Sequence, residues 1–208
     1  MIPPLHRPLT LSLPLALVAL CASGCLMGGN TVTPRQFVLS PVAKPPTTAA
    51  FPRPPGVGVG IVRVPGYLQR SSMAVRKDNT EIVYLDTAVW AERLDSLIQR
   101  SLAENLSVQV PTDSIRLSSW LKDEVQRAVF VTIERLDVDQ NGQGTLIAWW
   151  RVTSSDGAKT YKDGEIRITQ APSNPGVHPE GVADTLSKLL ERISLTLAEA
   201  IRSTANEG

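Results

Sequence analysis

The stretch AVFVTIERLDVDQNGQGTLIAWWRV, residues 128–152, decides the fold. Val129, Val131 and Ile133 fall on one side of an extended chain, and Leu146, Ala148, Trp150 and Val152 repeat the same period of two. Between them, Asn141-Gly142 is the pair a two-residue hairpin takes, because both residues tolerate positive φ. The spacing therefore predicts an antiparallel hairpin. Asp156-Gly157 makes a second turn into residues 160–169, so three consecutive strands build a meander.

Outward from the meander the period changes. Residues 172–179, bounded by Pro172 and Pro179, break the pattern, and then Val182, Leu186, Leu189, Leu190, Ile193, Leu197, Ala200 and Ile201 recur at three and four. That is an amphipathic helix of about six turns. Upstream, Trp90, Leu94, Leu97, Ile98, Leu102 and Leu106 predict a second helix of about five turns, capped by Asp86 or Thr87 and ending near Ser107. Residues 57–64 predict a strand with Val57, Val59 and Ile61 on its core face and glycines opposite; residues 72–76 and 81–85 predict two more. Residues 108–110 and 115–117 are minor strand candidates. The fold class is α/β (α+β): a mixed, mostly antiparallel sheet packed with two long amphipathic helices.

The N-terminus carries a different signal. His6 and Arg7 precede twelve mostly apolar residues, Leu9 to Leu20, and Ala22-Ser23-Gly24 lead into Cys25. Twelve residues are too few to span a bilayer, which takes about 20 in a helix, and Pro14 interrupts the run. The segment reads as a removed export signal. Ala22-Ser23-Gly24-Cys25 is similar to the bacterial lipobox, in which diacylglycerol is attached to the cysteine sulfur. A rival site at Cys21 puts bulky Leu20 against the scissile bond, so Cys25 is preferred; an ordinary secreted protein with a stray cysteine is the other reading. The organisation is then a signal peptide over 1–24, a lipidated N-terminus with a short strand and Pro-rich linker over 25–56, and the domain proper over 57–204. If residues 36–40 join the sheet, the Pro-rich stretch is a loop inside the domain; if not, all of it is tether.

Removing residues 1–24 from 208 leaves 184, enough for one domain with a sizeable core. Arg7 is the one formally charged residue removed, so 20 basic residues face 20 acidic ones. Neither that balance nor the scatter of the charges makes a nucleic-acid footprint. With Cys25 lipidated and Cys21 removed, no cysteine remains for a disulfide.

Several strings along the mature chain resemble the ABC-type transport auxiliary lipoproteins, the PqiC-like group. They are Gln36-Phe37-Val38-Leu39-Ser40-Pro41, Val57-Gly58-Val59-Gly60 leading to Val64-Pro65-Gly66-Tyr67-Leu68-Gln69-Arg70, Trp90-Ala91-Glu92-Arg93-Leu94 opening the first helix, and Leu102-Ala103-Glu104-Asn105-Leu106 closing it. Gln69 stands where the family usually has Asp, and Ser71 where it often has Pro. The resemblance implies an α/β lipoprotein domain facing the periplasm, working with an inner-membrane permease and an MCE-domain tunnel protein to move lipids between membranes. It also implies ring-like homo-oligomers. Leu26 after the cysteine, rather than Asp, points by the usual bacterial sorting pattern to the outer membrane.

Chemistry-bearing motifs are few. Gly56-Val57-Gly58-Val59-Gly60 lacks the third glycine and the following helix that a phosphate loop needs, so it reads as strand. Tyr67 and Leu68 sit on a turn, where they contact a partner or neighbouring subunit, or fold back to cap the core. Trp149 and Trp150 point to opposite faces of one strand, so one is left for a subunit contact. Trp90 reads as a core anchor at the head of its helix. Asp137 and Asp139 share a strand face and read as a solvated strand end. His178 is the one histidine after the signal, with no zinc-ligand cluster and no G-x-S-x-G elbow. No enzyme, cofactor or metal is expected. The expected function is a non-catalytic subunit of an ABC/MCE-type lipid transport system; the alternative is a free-standing lipoprotein with an apolar ligand cavity between helices and sheet.

Overall fold

The central strand of the sheet is β6 (Arg127–Asp139), and every branch grows from it. The computed structural model describes residues 33–43, 56–110, 112, 114–172 and 177–205; the signal segment, Cys25 and most of the Pro-rich stretch lie outside them. Along one edge β6 pairs antiparallel with β7 (Gly144–Thr153), and β7 pairs antiparallel with β8 (Thr160–Gln170). This is the expected meander, turned at Asn141-Gly142 with Gly142 at φ 83° and at Asp156-Gly157 with Gly157 at φ 74°.

The other edge of β6 is shared, so the sheet forks. Near its start β6 pairs parallel with β2 (Val57–Val59), which pairs parallel with β5 (Ile115–Leu117). At its far end it pairs parallel with β3 (Ser72–Arg76), which leads antiparallel to β4 (Ile82–Trp90) and then parallel to β1 (Arg35–Phe37). The parallel pairings are short, and the long meander makes the sheet mostly antiparallel. The pairing of β1 with β4 brings Arg35, Gln36 and Phe37 into the sheet, while Val38 to Ser40 follow outside any strand.

Two helices, α1 (Leu94–Gln109) and α2 (Pro179–Ser203), cover one face. Leu102, Leu106, Leu136, Leu146, Leu189 and Leu197 are fully buried between helices and sheet. Burial of each leucine contributes about 1.5–3 kcal/mol, so this layer dominates the stability of the fold.

Four expectations need correction. Trp90 does not open a helix: β4 runs through it, because β1 pairs with Ala88, Val89 and Trp90 and holds them extended. Its amide donates to Ser71 O at 2.7 Å, and α1 starts four residues later, so Asp86 and Thr87 are exposed strand residues rather than caps. Residues 108–110 are the end of α1 and its C-cap, not a strand. Ile61 does not face the core: Gly60 N donates to Val129 O and Arg63 N to Val131 O, three steps against two. That extra residue inverts the parity, leaving Ile61 69% exposed and Val62 buried. Asp137 is not solvated but 1% exposed, enclosed by side chains described below.

Candidate functional site: an aromatic groove on the uncovered sheet face

The face of β6 and β7 turned away from the helices carries Phe130, Thr132, Trp149 and Arg151 in facing register, Phe130 opposite Arg151 and Thr132 opposite Trp149. With Gly60, Ile61, Arg63, Ser118, Trp120 and Asp163 they line an open groove of about 580 Å³. Its floor depends on glycine. A Cβ on Gly58 would come within 2.9 Å of the Trp120 ring, and one on Gly60 within 2.5 Å of Phe130. The alternation of Gly58 and Gly60, which opposes the core as expected, therefore leaves room for two aromatic rings against the backbone. Trp120 and Phe130 then pack tilted by 55° with centroids 6.5 Å apart.

Polar contacts set the walls. Trp120 Nε1 donates to Ser155 O at 3.2 Å, Trp149 Nε1 donates to Glu134 Oε1 at 2.8 Å, and the Arg151 guanidinium stands 5.2 Å from the Phe130 centroid. Gln99 of α1 reaches across to donate to Val59 O and Ser118 Oγ, both at 2.9 Å, fixing β2 to the segment that carries Trp120. Trp150 is buried and Trp149 is 47% exposed, so the structure resolves the tryptophan pair as one core residue and one groove residue.

Tyr67 and Leu68 are placed elsewhere. Leu68 is buried in the core, out of a partner's reach. Tyr67 is half-buried; its hydroxyl donates to Asp137 Oδ2 at 3.3 Å and accepts from Leu136 N at 3.2 Å. Asp137 also receives Arg76 Nε at 2.8 Å and Arg135 Nη2 at 3.0 Å. Burial pushes the Tyr67 phenol above its ordinary range, with the Leu136 amide opposing and the Asp137 charge adding to the rise. The hydrogen bond to Asp137 raises the Arg76 guanidinium further. This cluster clamps the turn to β3 and β6; its groups are satisfied by one another.

His178 lies at the N-cap of α2, and no group of three metal-ligating side chains occurs among the described residues. Reading residue types missed Trp120, Phe130, Ile61, Arg63 and Arg151 as one surface. The available signal was the Gly58–Gly60 alternation, which leaves room for rings that no local pattern names.

The chain is thus an α+β domain, a forked mixed sheet with one helical layer, and its own open face is aromatic. Within it, residues 37–198 match the family model of the ABC-type transport auxiliary lipoprotein component, and the chain belongs to that family. A Xanthomonas campestris protein of the DUF330 family has the same fold at TM-score 0.68 and 11% identity, covering 83% of this chain and 98% of its own. An uncharacterized protein of known structure aligns at TM-score 0.66 and 18% identity, covering 81% and 99%. The PelC dodecamer from Paraburkholderia phytofirmans is more distant, at TM-score 0.40, 13% identity and coverage of 73% and 92%. No curated protein matches the sequence. Among the described residues no helix is long and apolar enough to cross a membrane.

Proposed function

We propose that this chain is a non-catalytic subunit of an MCE-type intermembrane lipid transport system, anchored by lipid on Cys25 at the outer membrane with its domain in the periplasm. It would contribute to envelope integrity by placement: the anchor holds the domain at the membrane, and the domain holds a tunnel protein whose other end meets the inner-membrane permease. Burial of the acyl chains contributes about 0.8 kcal/mol per methylene. Several anchored copies in one assembly would make the attachment durable through avidity.

The observation that carries this reading is the groove. An aromatic surface that its own chain leaves open, with Trp149 47% exposed at its wall, is what a subunit needs for protein contacts. The alternative, a ligand-binding lipoprotein, asks for apolar space between helices and sheet, where the fully buried leucines pack. Family membership adds the transport context.

The test is purification of the lipidated protein from native membranes, with Cys25→Ser and Trp149→Ala as controls and mass spectrometry to identify partners. Recovery of an MCE-domain protein and a permease, lost with either substitution, is expected. A clean preparation carrying only a bound small molecule would overturn the reading.

A further inference from the structure

Between the candidate anchor and β2 the chain is held to the domain by a short strap. β1 is an edge strand, and among the described residues its one partner strand is β4, through Arg35, Gln36 and Phe37. Beyond it Leu39 is buried, Ser40 N donates to Ser187 Oγ of α2, and Val42 N and Ala43 N donate to Asn105 Oδ1 of α1. Residues 35–43 therefore pass from the sheet edge onto both helices. At the end nearer the anchor Arg35 meets Glu180 of α2 at 2.6 Å, with both side chains more than half exposed. Exposed pairs of this kind hold weakly.

The surface under the strap differs from the core beside it. Ser101 and Asn105 are buried one turn apart on α1, and Ser101 Oγ and Asn105 Nδ2 have no hydrogen-bond partner among the described residues. Such atoms are destabilising while they stay buried and dry, and water satisfies them once they are uncovered. The strap also leaves space: Val38 and Leu39 share a cavity of about 180 Å³ with Leu97, Arg100, Ser101 and Glu104. By contrast Leu102 and Leu106 of the same helix are fully buried. One stripe of α1 is thus closed core, and the other is polar and loosely covered.

We infer that residues 35–43 are a releasable strap that sets the length of the tether between membrane and domain. This rests on the lipid anchor at Cys25 proposed above. With the strap docked, the ten residues from Leu26 to Arg35 reach at most about 35 Å. With it released, β2 is the next element that holds the chain, and the 32 residues from Leu26 to Val57 reach at most about 110 Å. Load from the membrane arrives at Arg35 first. It meets an exposed ion pair, a three-residue strand and Leu39 before it meets the closed core, so the strap opens as a separate unit of low local stability. The meander keeps its own long pairings throughout. An anchored domain built this way stands near its membrane at rest and extends toward a partner under load.

Single-molecule force extension tests the strap on the mature chain, prepared without lipid and pulled between the Cys25 thiol and the C-terminus. Two transitions are expected. The first, reversible on relaxation, releases up to about 80 Å from the 22 residues Arg35 to Gly56; the second, at higher force, unfolds the rest. Gln36→Cys/Val89→Cys places cysteines at facing positions of β1 and β4. Oxidised before the handle is attached, this variant should lose the first transition and keep the second, and reduction should bring the first back. Asn105→Ala should raise the rate of the first transition at a given force at least threefold and leave the second in place. Hydrogen exchange of the lipidated protein in vesicles gives a second reading: the amides of Gln36, Phe37 and Ser40 should exchange at least tenfold faster than those of Val129 and Val131. A single transition, a first transition that survives oxidation, or equal protection of the two sets of amides would overturn the strap. A single transition together with recovery of the tunnel protein and permease would refute the strap and leave the transport reading; two transitions with no partner recovered would do the reverse.

Discussion

At the scale of single residues, Gly58 and Gly60 matter for what they leave empty. Gly60→Ala would bring a methyl group within 2.5 Å of the Phe130 ring and 3.3 Å of Val129 O, and overpacking of this kind costs about 1–3 kcal/mol. Urea denaturation should show that loss, and tryptophan fluorescence should shift as Phe130 presses on Trp120. Asp137 is the second sensitive position. Asp137→Asn removes the charge that Arg76, Arg135 and Tyr67 enclose. The expected cost is about 2 kcal/mol, below the about 3–5 of a fully buried pair, since Arg135 is 35% exposed and Arg76 17%. Tyr67 adds a pH dependence of defined sign. The fold raises its pKa, so its contribution is whole below about pH 10, where a tyrosine of the unfolded chain keeps its proton. As pH rises further the unfolded state loses that proton first, the native state binds more protons, and stability falls until the folded phenol ionises too. Unfolding free energy measured on either side of about pH 10 should therefore drop more in the unsubstituted chain than in Tyr67→Phe.

At the scale of elements, β1 is short but tied in along its whole exit. Ser40 N donates to Ser187 Oγ, and Val42 N and Ala43 N both donate to Asn105 Oδ1, all at 3.1 Å. Any pull from an N-terminal anchor reaches the domain through this strand and these three bonds. Asn105→Ala should cost about 1–3 kcal/mol by leaving two amides unpaired. Hydrogen exchange should quicken at Val42 and Ala43 while β6 and β7 stay protected; unchanged exchange at both amides would refute the clamp. The same pairing of β1 with β4 explains why Trp90 ends a strand: a partner distant in sequence supplied hydrogen bonds that helical periodicity could not reveal. The meander and α2 were legible because their partners are local or their stripe is long. Forks, bulges and short parallel strands were not, since each depends on contacts across many residues.

For the whole molecule, the lipid reading makes a prediction of its own: Cys25→Ser should move the protein from the membrane fraction to the soluble fraction, which fractionation and immunoblotting would show. The fold class, the hairpin, the closing helix, the family and the candidate anchor could all be read from the sequence alone, because each is written in neighbouring residues as period, turn chemistry or a local string. The site could not. Ile61 turned outward through a one-residue bulge, Leu68 turned inward, Asp137 was enclosed by side chains from three elements, and Trp120 met Phe130 over Gly58 and Gly60. Those outcomes belong to the tertiary structure, because a groove is a relation between strands that only the folded sheet brings side by side.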